Sequence, residues 1–187
     1  MTTLSVCVYC ASVEGIAPRH VELAAAVGRG IAERGWQLVS GGGRVSMMGA
    51  VAAAARAGGA RTVGVIPRSL VDLEWADRES DELLVVDTMR ERKALMEAHA
   101  EAFLALPGGL GTCEELFEMW TSGYLRMHDK PVVVLDPDGH YTGLLEWVRG
   151  LAADGFVRPG SVERIAVTTD VGTALDLCAA PAELPRA

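Results

Sequence analysis

Apolar residues along this chain alternate between short continuous runs and longer stretches with helical spacing. The short runs are Leu4–Tyr9, Gln37–Ser40, Thr62–Ile66, Leu83–Asp87, Ala102–Leu106, Val132–Leu135 and Arg164–Thr168, and each reads as a strand. Between them, helical spacing predicts helices over Ala17–Arg34, Met47–Gly58, Met89–Ala100, Thr112–Arg126, Tyr141–Asp154 and Val171–Ala179. Strand–helix alternation requires crossover connections, and so a largely parallel sheet with helices on both faces. The expected fold class is α/β: a Rossmann-like, doubly wound sheet that binds ligands beyond the carboxyl ends of its strands.

Nothing between these elements reads as an interdomain linker. A single nucleotide-binding domain over residues 1–180 is expected, followed by a frayed tail (181–187) containing Pro181 and Pro185. The charged loop Pro67–Asp81 has no clear period and serves either as a cover for the strand ends or as a plain connection. The stretch Thr112–Arg126 departs from the usual single stripe. Leu116, Phe117, Met119, Trp120, Tyr124 and Leu125 spread around most of its circumference, which predicts burial on more than one side. A second subunit, giving a homodimer, is the economical cover; a central helix within the monomer is the alternative.

Composition narrows the partners. The chain has 187 residues, 50% of them hydrophobic. A net charge of −8 and 5% aromatic residues leave neither a basic face nor a stacking platform for a nucleic-acid polymer. A single nucleotide remains possible, since local loops would bind it. No stretch has the length of a membrane span, and Leu4 to Cys10 reads as a first strand rather than a signal peptide. Four irregularly spaced cysteines do not form a secreted disulfide framework, so a cytoplasmic, thiol-reduced protein is expected. Cys7 and Cys10 would point to opposite faces of a strand, and the four histidines lack ligand spacing, so no metal is expected.

Two glycine loops carry the candidate chemistry. One is Gly41-Gly42-Gly43-Arg44-Val45-Ser46-Met47-Met48-Gly49; the other is Pro107-Gly108-Gly109-Leu110-Gly111-Thr112-Cys113-Glu114-Glu115. Each joins a strand to a helix, where unpaired N–H groups and the helix dipole suit a phosphate. Neither matches the dinucleotide fingerprint or the P-loop. Thr112 and Glu115 also have the spacing of a capping box, which would make both structural. Glu114 and Glu115 diverge by roughly 100° on a helix and cannot act as a pair on one atom. The run Arg90-Glu91-Arg92-Lys93 would ordinarily be a solvated helix face, yet Arg92 offers a planar fork suited to phosphate or carboxylate. Cys113 falls at a helix start, where a thiol pKa can drop, but no positioned base accompanies it.

Together, Gly-Gly-Gly-x-x-x-x-Met-Gly at 41–49, Arg92-Lys93 and Pro-Gly-Gly-x-Gly-Thr-x-x-Glu at 107–115 resemble the LOG ("Lonely Guy") family, from Val6 to about Phe156. The resemblance implies a Rossmann-like fold, usually dimeric. It also implies a phosphoribohydrolase that converts a cytokinin riboside 5′-monophosphate, or in some relatives AMP, to free base and ribose 5-phosphate without cofactor or metal. By motif, Glu115 and Arg92 match the catalytic residues. Lys93, Gly109, Leu110, Gly111, Thr112, Cys113, Glu114 and Thr121 match nucleotide contacts, and Glu74 matches a further substrate contact. Gly42 and Gly43 are expected to help cradle the phosphate. Three departures stand out: Leu73 where many members have arginine, Ser46 where glycine is common, and Cys10-Ala11-Ser12-Val13 for Cys-Gly-Ser-Ser. The family's older label, lysine decarboxylase, would call for a pyridoxal lysine, and only Lys93 and Lys130 exist. A non-catalytic nucleotide carrier on the same scaffold is the alternative from another class, though binding alone does not require the Arg92 and Glu115 pair.

Overall fold

The computed structural model describes residues 3–71, 73 and 76–181. One seven-stranded sheet organises them, in the order β4-β3-β2-β1-β5-β6-β7, with every adjacent pair parallel. The strands are β1 (Ser5–Tyr9), β2 (Gln37–Ser40), β3 (Thr62–Pro67), β4 (Glu82–Val86), β5 (Ala102–Ala105), β6 (Val132–Leu135) and β7 (Ala166–Thr168). All the expected strands form, within two residues at each end. The helices are α1 (Pro18–Glu33), α2 (Ser46–Ala57), α3 (Met89–His99), α4 (Leu110–Tyr124), α5 (Thr142–Ala153), α6 (Pro159–Val162) and α7 (Val171–Ala179). The α6 turn was not expected; four residues are too few to show a period.

The core has two layers, one on each side of the sheet. Val6, Val8, Leu38 and Leu104 pack with α1, α2 and α7, while Cys7, Tyr9, Val63, Val65 and Phe103 face the side of α3, α4 and α5. Cys7 and Cys10 fall in opposite layers, as strand alternation requires. Winding runs outward from β1 to β4, then resumes on the other side of β1 with β5. The β1/β5 boundary is therefore the switch point, the usual ligand crevice of an open parallel sheet. The second glycine loop leaves β5 at that boundary, and the first leaves β2, one strand away. Of the expected site residues, Glu74 lies outside the described residues, as does the tail beyond Pro181.

Candidate active site

Two backbone bonds stitch the crevice at the switch point. Leu106 N–H donates to the Tyr9 carbonyl at 2.9 Å, and Ala11 N–H donates to that of Pro107 at 3.2 Å. The following helix, α4, begins at Leu110 rather than the expected Thr112, because Gly109 takes the extended N-cap position (φ −94°, ψ −152°). That shift overturns the capping-box expectation for Thr112 and Glu115. No side chain caps α4; Thr112 is buried over Gly108, where a Cβ would overlap its hydroxyl. Glu115 moves into the second turn. The first-turn N–H groups at Leu110, Gly111 and Thr112 consequently lack acceptors within the helix and present its positive end to the crevice. At its other end α4 stops two residues early, where Arg126 adopts φ +60° and closes the last turn.

The run Arg90-Glu91-Arg92-Lys93 divides across α3. A true capping box opens this helix: Glu91 N–H donates to Thr88 Oγ1 at 3.1 Å, and Thr88 N–H donates to Glu91 Oε2 at 3.0 Å. Arg90 and Glu91 stay exposed, whereas Arg92 is only 4% exposed. Its Nε donates to the Val65 carbonyl at 3.1 Å and its Nη2 to the Gly41 carbonyl at 3.0 Å. Those oxygens lie at the C-terminal ends of β3 and β2, so the sheet itself neutralises part of the buried charge. The remaining nitrogen, Nη1, lies 3.9 Å from Glu115 Oε1. Arg92 and Glu115, distant in sequence, are thus brought together at the crevice.

Glu115 is 9% exposed and faces the end of β1. Burial pushes the Cys7 and Cys10 thiols and the Tyr9 phenol upward, and the nearby Glu115 carboxylate reinforces each shift. Burial keeps these three groups protonated. Glu114 points elsewhere, as helical divergence requires. It pairs with Lys93, whose ammonium also reaches Glu118 at 2.6 Å. Burial alone would lower the Lys93 pKa, but hydrogen bonds to Glu114 and Glu118 outweigh it and raise it. This bridge clamps α3 to α4 and fixes the spacing of Arg92 and Glu115.

The other expected residues distribute unevenly. Gly42 and Gly43 are buried, and Gly42 accepts from Asp77 N–H at 2.8 Å. Cys113 is partly buried, and that burial raises its thiol pKa, opposite to the drop a helix start can produce. Thr121 is not brought to Arg92 and Glu115. It is exposed and lines a groove of about 430 Å³ with Phe117, Trp120, Tyr124, Trp147 and Phe156. A cavity of about 690 Å³ on the α2 side is lined by Arg44, Arg56 and Asp77; it too stands apart from Arg92 and Glu115.

Sequence reasoning missed two supports. Asp77, 4% exposed, accepts a fork from Arg56 (2.6 and 3.3 Å) and pins the Pro67–Asp81 loop against the first glycine loop, where Ala76 bridges Gly43. The loop after β6 braces the second glycine loop: Tyr141 Oη donates to the Leu106 carbonyl at 2.7 Å, and His140 Nε2 lies 2.8 Å from the Gly108 carbonyl. The available signal was Asp136-Pro137-Asp138-Gly139, a turn pattern at the end of a strand neighbouring β5.

Known proteins resemble this chain in sequence and in fold. The model of a family described as "Possible lysine decarboxylase" matches residues 48–178. A Mycobacterium tuberculosis protein named cytokinin riboside 5′-monophosphate phosphoribohydrolase is 56% identical over 178 residues, covering 94% of this chain and 93% of its own. A protein of the same name from Rhodococcoides fascians is 41% identical, covering 96% and 91%. Among solved structures, a molybdenum cofactor binding protein from Rippkaea orientalis superposes with a TM-score of 0.72 at 21% identity, over 95% of this chain and 96% of that one. A molybdenum cofactor carrier protein from Chlamydomonas reinhardtii gives 0.67 at 21%, over 94% and 95%. At that identity the structural likeness speaks to the fold alone.

Proposed function

The chain belongs to the LOG family of phosphoribohydrolases, the family whose model still carries the lysine decarboxylase description, and from that premise we propose that it hydrolyses the N-ribosidic bond of a cytokinin riboside 5′-monophosphate. The products are the free base and ribose 5-phosphate. The observation that carries this reading is the buried pairing of Arg92 with Glu115 beside the open first turn of α4.

In the proposed pose the 5′-phosphate sits on the N–H groups of residues 109–112, where the helix dipole favours an anion. Cleavage builds positive charge on the ribose as electrons move to the departing base. Glu115 stabilises that charge and takes a proton from the attacking water, whose oxygen bonds to the anomeric carbon; a proton delivered to the leaving nitrogen completes the base. Arg92, fixed by two carbonyls, sets the position of Glu115. Lys93 and Glu114 hold the helix spacing, and the first glycine loop provides the seat of Arg92. AMP is proposed as an additional substrate.

Residues 1–180 are proposed to act as one nucleotide-binding domain. A homodimer is supported by the half-exposed apolar groove on α4 and α5, with Trp147 at 58% and Phe156 at 81% exposure. Part of the apolar circumference of α4 is met within the chain, since Leu116, Met119 and Trp120 are buried; Leu125 remains 58% exposed for a partner. Four free cysteines support a cytoplasmic location.

Glu115→Gln tests the assignment. The amide preserves shape but cannot act as a base, so base release should fall by at least ~100-fold with the fold intact. The assay compares isopentenyladenosine monophosphate, AMP and the dephosphorylated riboside. Undiminished turnover by Glu115→Gln would remove the glutamate from the mechanism, equal turnover of the riboside would remove the phosphate cradle, and binding without turnover by the native chain would support a carrier instead.

A further inference from the structure

We propose that His140 is a positioning residue for the phosphate cradle, acting through the peptide between Gly108 and Gly109; this rests on the phosphoribohydrolase reading above. His140 Nε2 lies 2.8 Å from the Gly108 carbonyl oxygen and 3.3 Å from the Gly108 nitrogen. A carbonyl only accepts, so the shorter contact places the hydrogen on Nε2. Carbonyl and following N–H point in opposite directions across a trans peptide. With the Gly108 carbonyl turned toward the loop after β6, the Gly109 N–H is turned away from it. Because β5 lies between β6 and β1, that direction is the β1 side, where the switch-point crevice opens.

The backbone that carries the imidazole is held by Asp136. Asp136, 6% exposed, accepts from His140 N–H at 2.7 Å and from Tyr141 N–H at 2.8 Å. The two rings meet edge to face, 4.7 Å apart at 87°. Gly139, at φ +73°, makes the turn that precedes them. Nothing about packing demands histidine here, because its side of the loop is exposed. What the position supplies is a donor aimed at a carbonyl of the phosphate loop. Tyr141 supplies the contrast: its hydroxyl bonds the Leu106 carbonyl, whose peptide leads into Pro107 and carries no N–H to orient, and it meets Gly108 through that residue's own N–H rather than through the peptide that carries the Gly109 N–H. One residue of the pair aims a phosphate donor, and its neighbour only braces the loop.

The test compares His140→Ala, His140→Gln and Tyr141→Phe. Titration calorimetry with inorganic phosphate, and with AMP on a Glu115→Gln background that does not turn it over, measures the cradle without relying on turnover, and steady-state kinetics on isopentenyladenosine monophosphate separates KM from kcat. For His140→Ala, phosphate and AMP affinity should fall about tenfold and KM should rise by the same factor, with kcat within about twofold. His140→Gln, whose amide can still donate, should recover at least half of that loss on a logarithmic scale. Tyr141→Phe should lower the melting temperature and leave phosphate affinity unchanged. Unchanged phosphate affinity in His140→Ala, an equal loss in Tyr141→Phe, or no phosphate and AMP binding by the native chain would each overturn the proposal. If the native chain binds both ligands but releases no base, the hydrolase reading fails while the positioning role is still decided by the calorimetry.

Discussion

Gly41 and Gly42 leave β2 with other parts of the chain pressed against them, whereas Gly109 and Gly111, following β5, meet nothing among the described residues. A Cβ on Gly41 would overlap Arg92 Nη2, and one on Gly42 would stand 3.1 Å from Ile66 Cβ and 3.2 Å from the Val65 nitrogen. At Gly109 and Gly111 a Cβ would find no atom of the described residues within 4 Å beyond the adjoining backbone. The sequence signature is shared: glycines between a strand and a helix, at neighbouring points on one sheet edge. Their causes differ. In the first loop, internal close approach accounts for glycine, and at Gly41 what approaches is the guanidinium that faces Glu115. In the second, nothing among the described residues requires Gly109 or Gly111 to lack a side chain. The space they leave open lies over the positive end of α4, which is the argument for a ligand there.

Breaking the first loop should have the largest effect. In Gly41→Ala the new methyl group and Arg92 cannot both keep their places, so the guanidinium must leave the Gly41 carbonyl. A displacement of that kind, on the order of 1 Å, typically costs about 100-fold in rate, and overpacking adds about 1–3 kcal/mol of destabilisation. The expected outcome is kcat reduced about 100-fold in a chain that still folds, read by steady-state kinetics beside a thermal melt. Native kcat in Gly41→Ala would mean that Arg92 has no need of its seat.

The second loop should respond in the opposite sense. Gly111→Ala adds a methyl group to the first turn of α4 without an internal clash. Alanine is favoured over glycine in a helix by about 0.8–1 kcal/mol, a rise of roughly 2–4 °C in melting temperature for a chain of this size. The same methyl should crowd the phosphate and raise KM about tenfold, the equivalent of about 1.4 kcal/mol. Greater stability with weaker substrate binding is the signature of a glycine kept open for a ligand. A higher melting temperature with unchanged KM would put the phosphate somewhere else.

The same contrast explains what could be read from the sequence. The strands were legible because buried parallel strands are continuous apolar runs, and Val6–Val8 or Val132–Leu135 cannot easily be anything else. The start of α4 was misread because Thr112-x-x-Glu115 and Thr88-x-x-Glu91 present one spacing. Only the second is a capping box, since Gly109 takes the N-cap of α4 three residues before Thr112 would. Arg92 was legible as chemistry through its motif, but its seat on the Val65 and Gly41 carbonyls was not, because it depends on strand order. His140 and Gly108 are 32 residues apart, and only the adjacency of β5 and β6 brings them together. Asp77 was hidden for the same reason: its partner Arg56 lies 21 residues away, on α2.

The smallest effect belongs to the position where the first loop is most at odds with its own residue. Ser46, the first residue of α2, adopts φ +54°, a left-handed conformation uncommon for residues other than glycine. Its hydroxyl oxygen is buried and has no hydrogen-bond partner among the described residues. The conformation costs on the order of 1 kcal/mol or more, and the unpartnered hydroxyl about 1–3 kcal/mol. Glycine removes both terms but returns about 0.5–1 kcal/mol through the greater freedom of the unfolded chain. Ser46→Gly should therefore stabilise the protein by about 1 kcal/mol, seen as a melting temperature higher by roughly 2–4 °C. Neither Arg92 nor the first turn of α4 is disturbed, so kcat and KM should be unchanged. A lower melting temperature would show that Ser46 is held by a contact worth more than its strain. A change in kcat would mean that the first loop bears on the chemistry through more than the seat of Arg92.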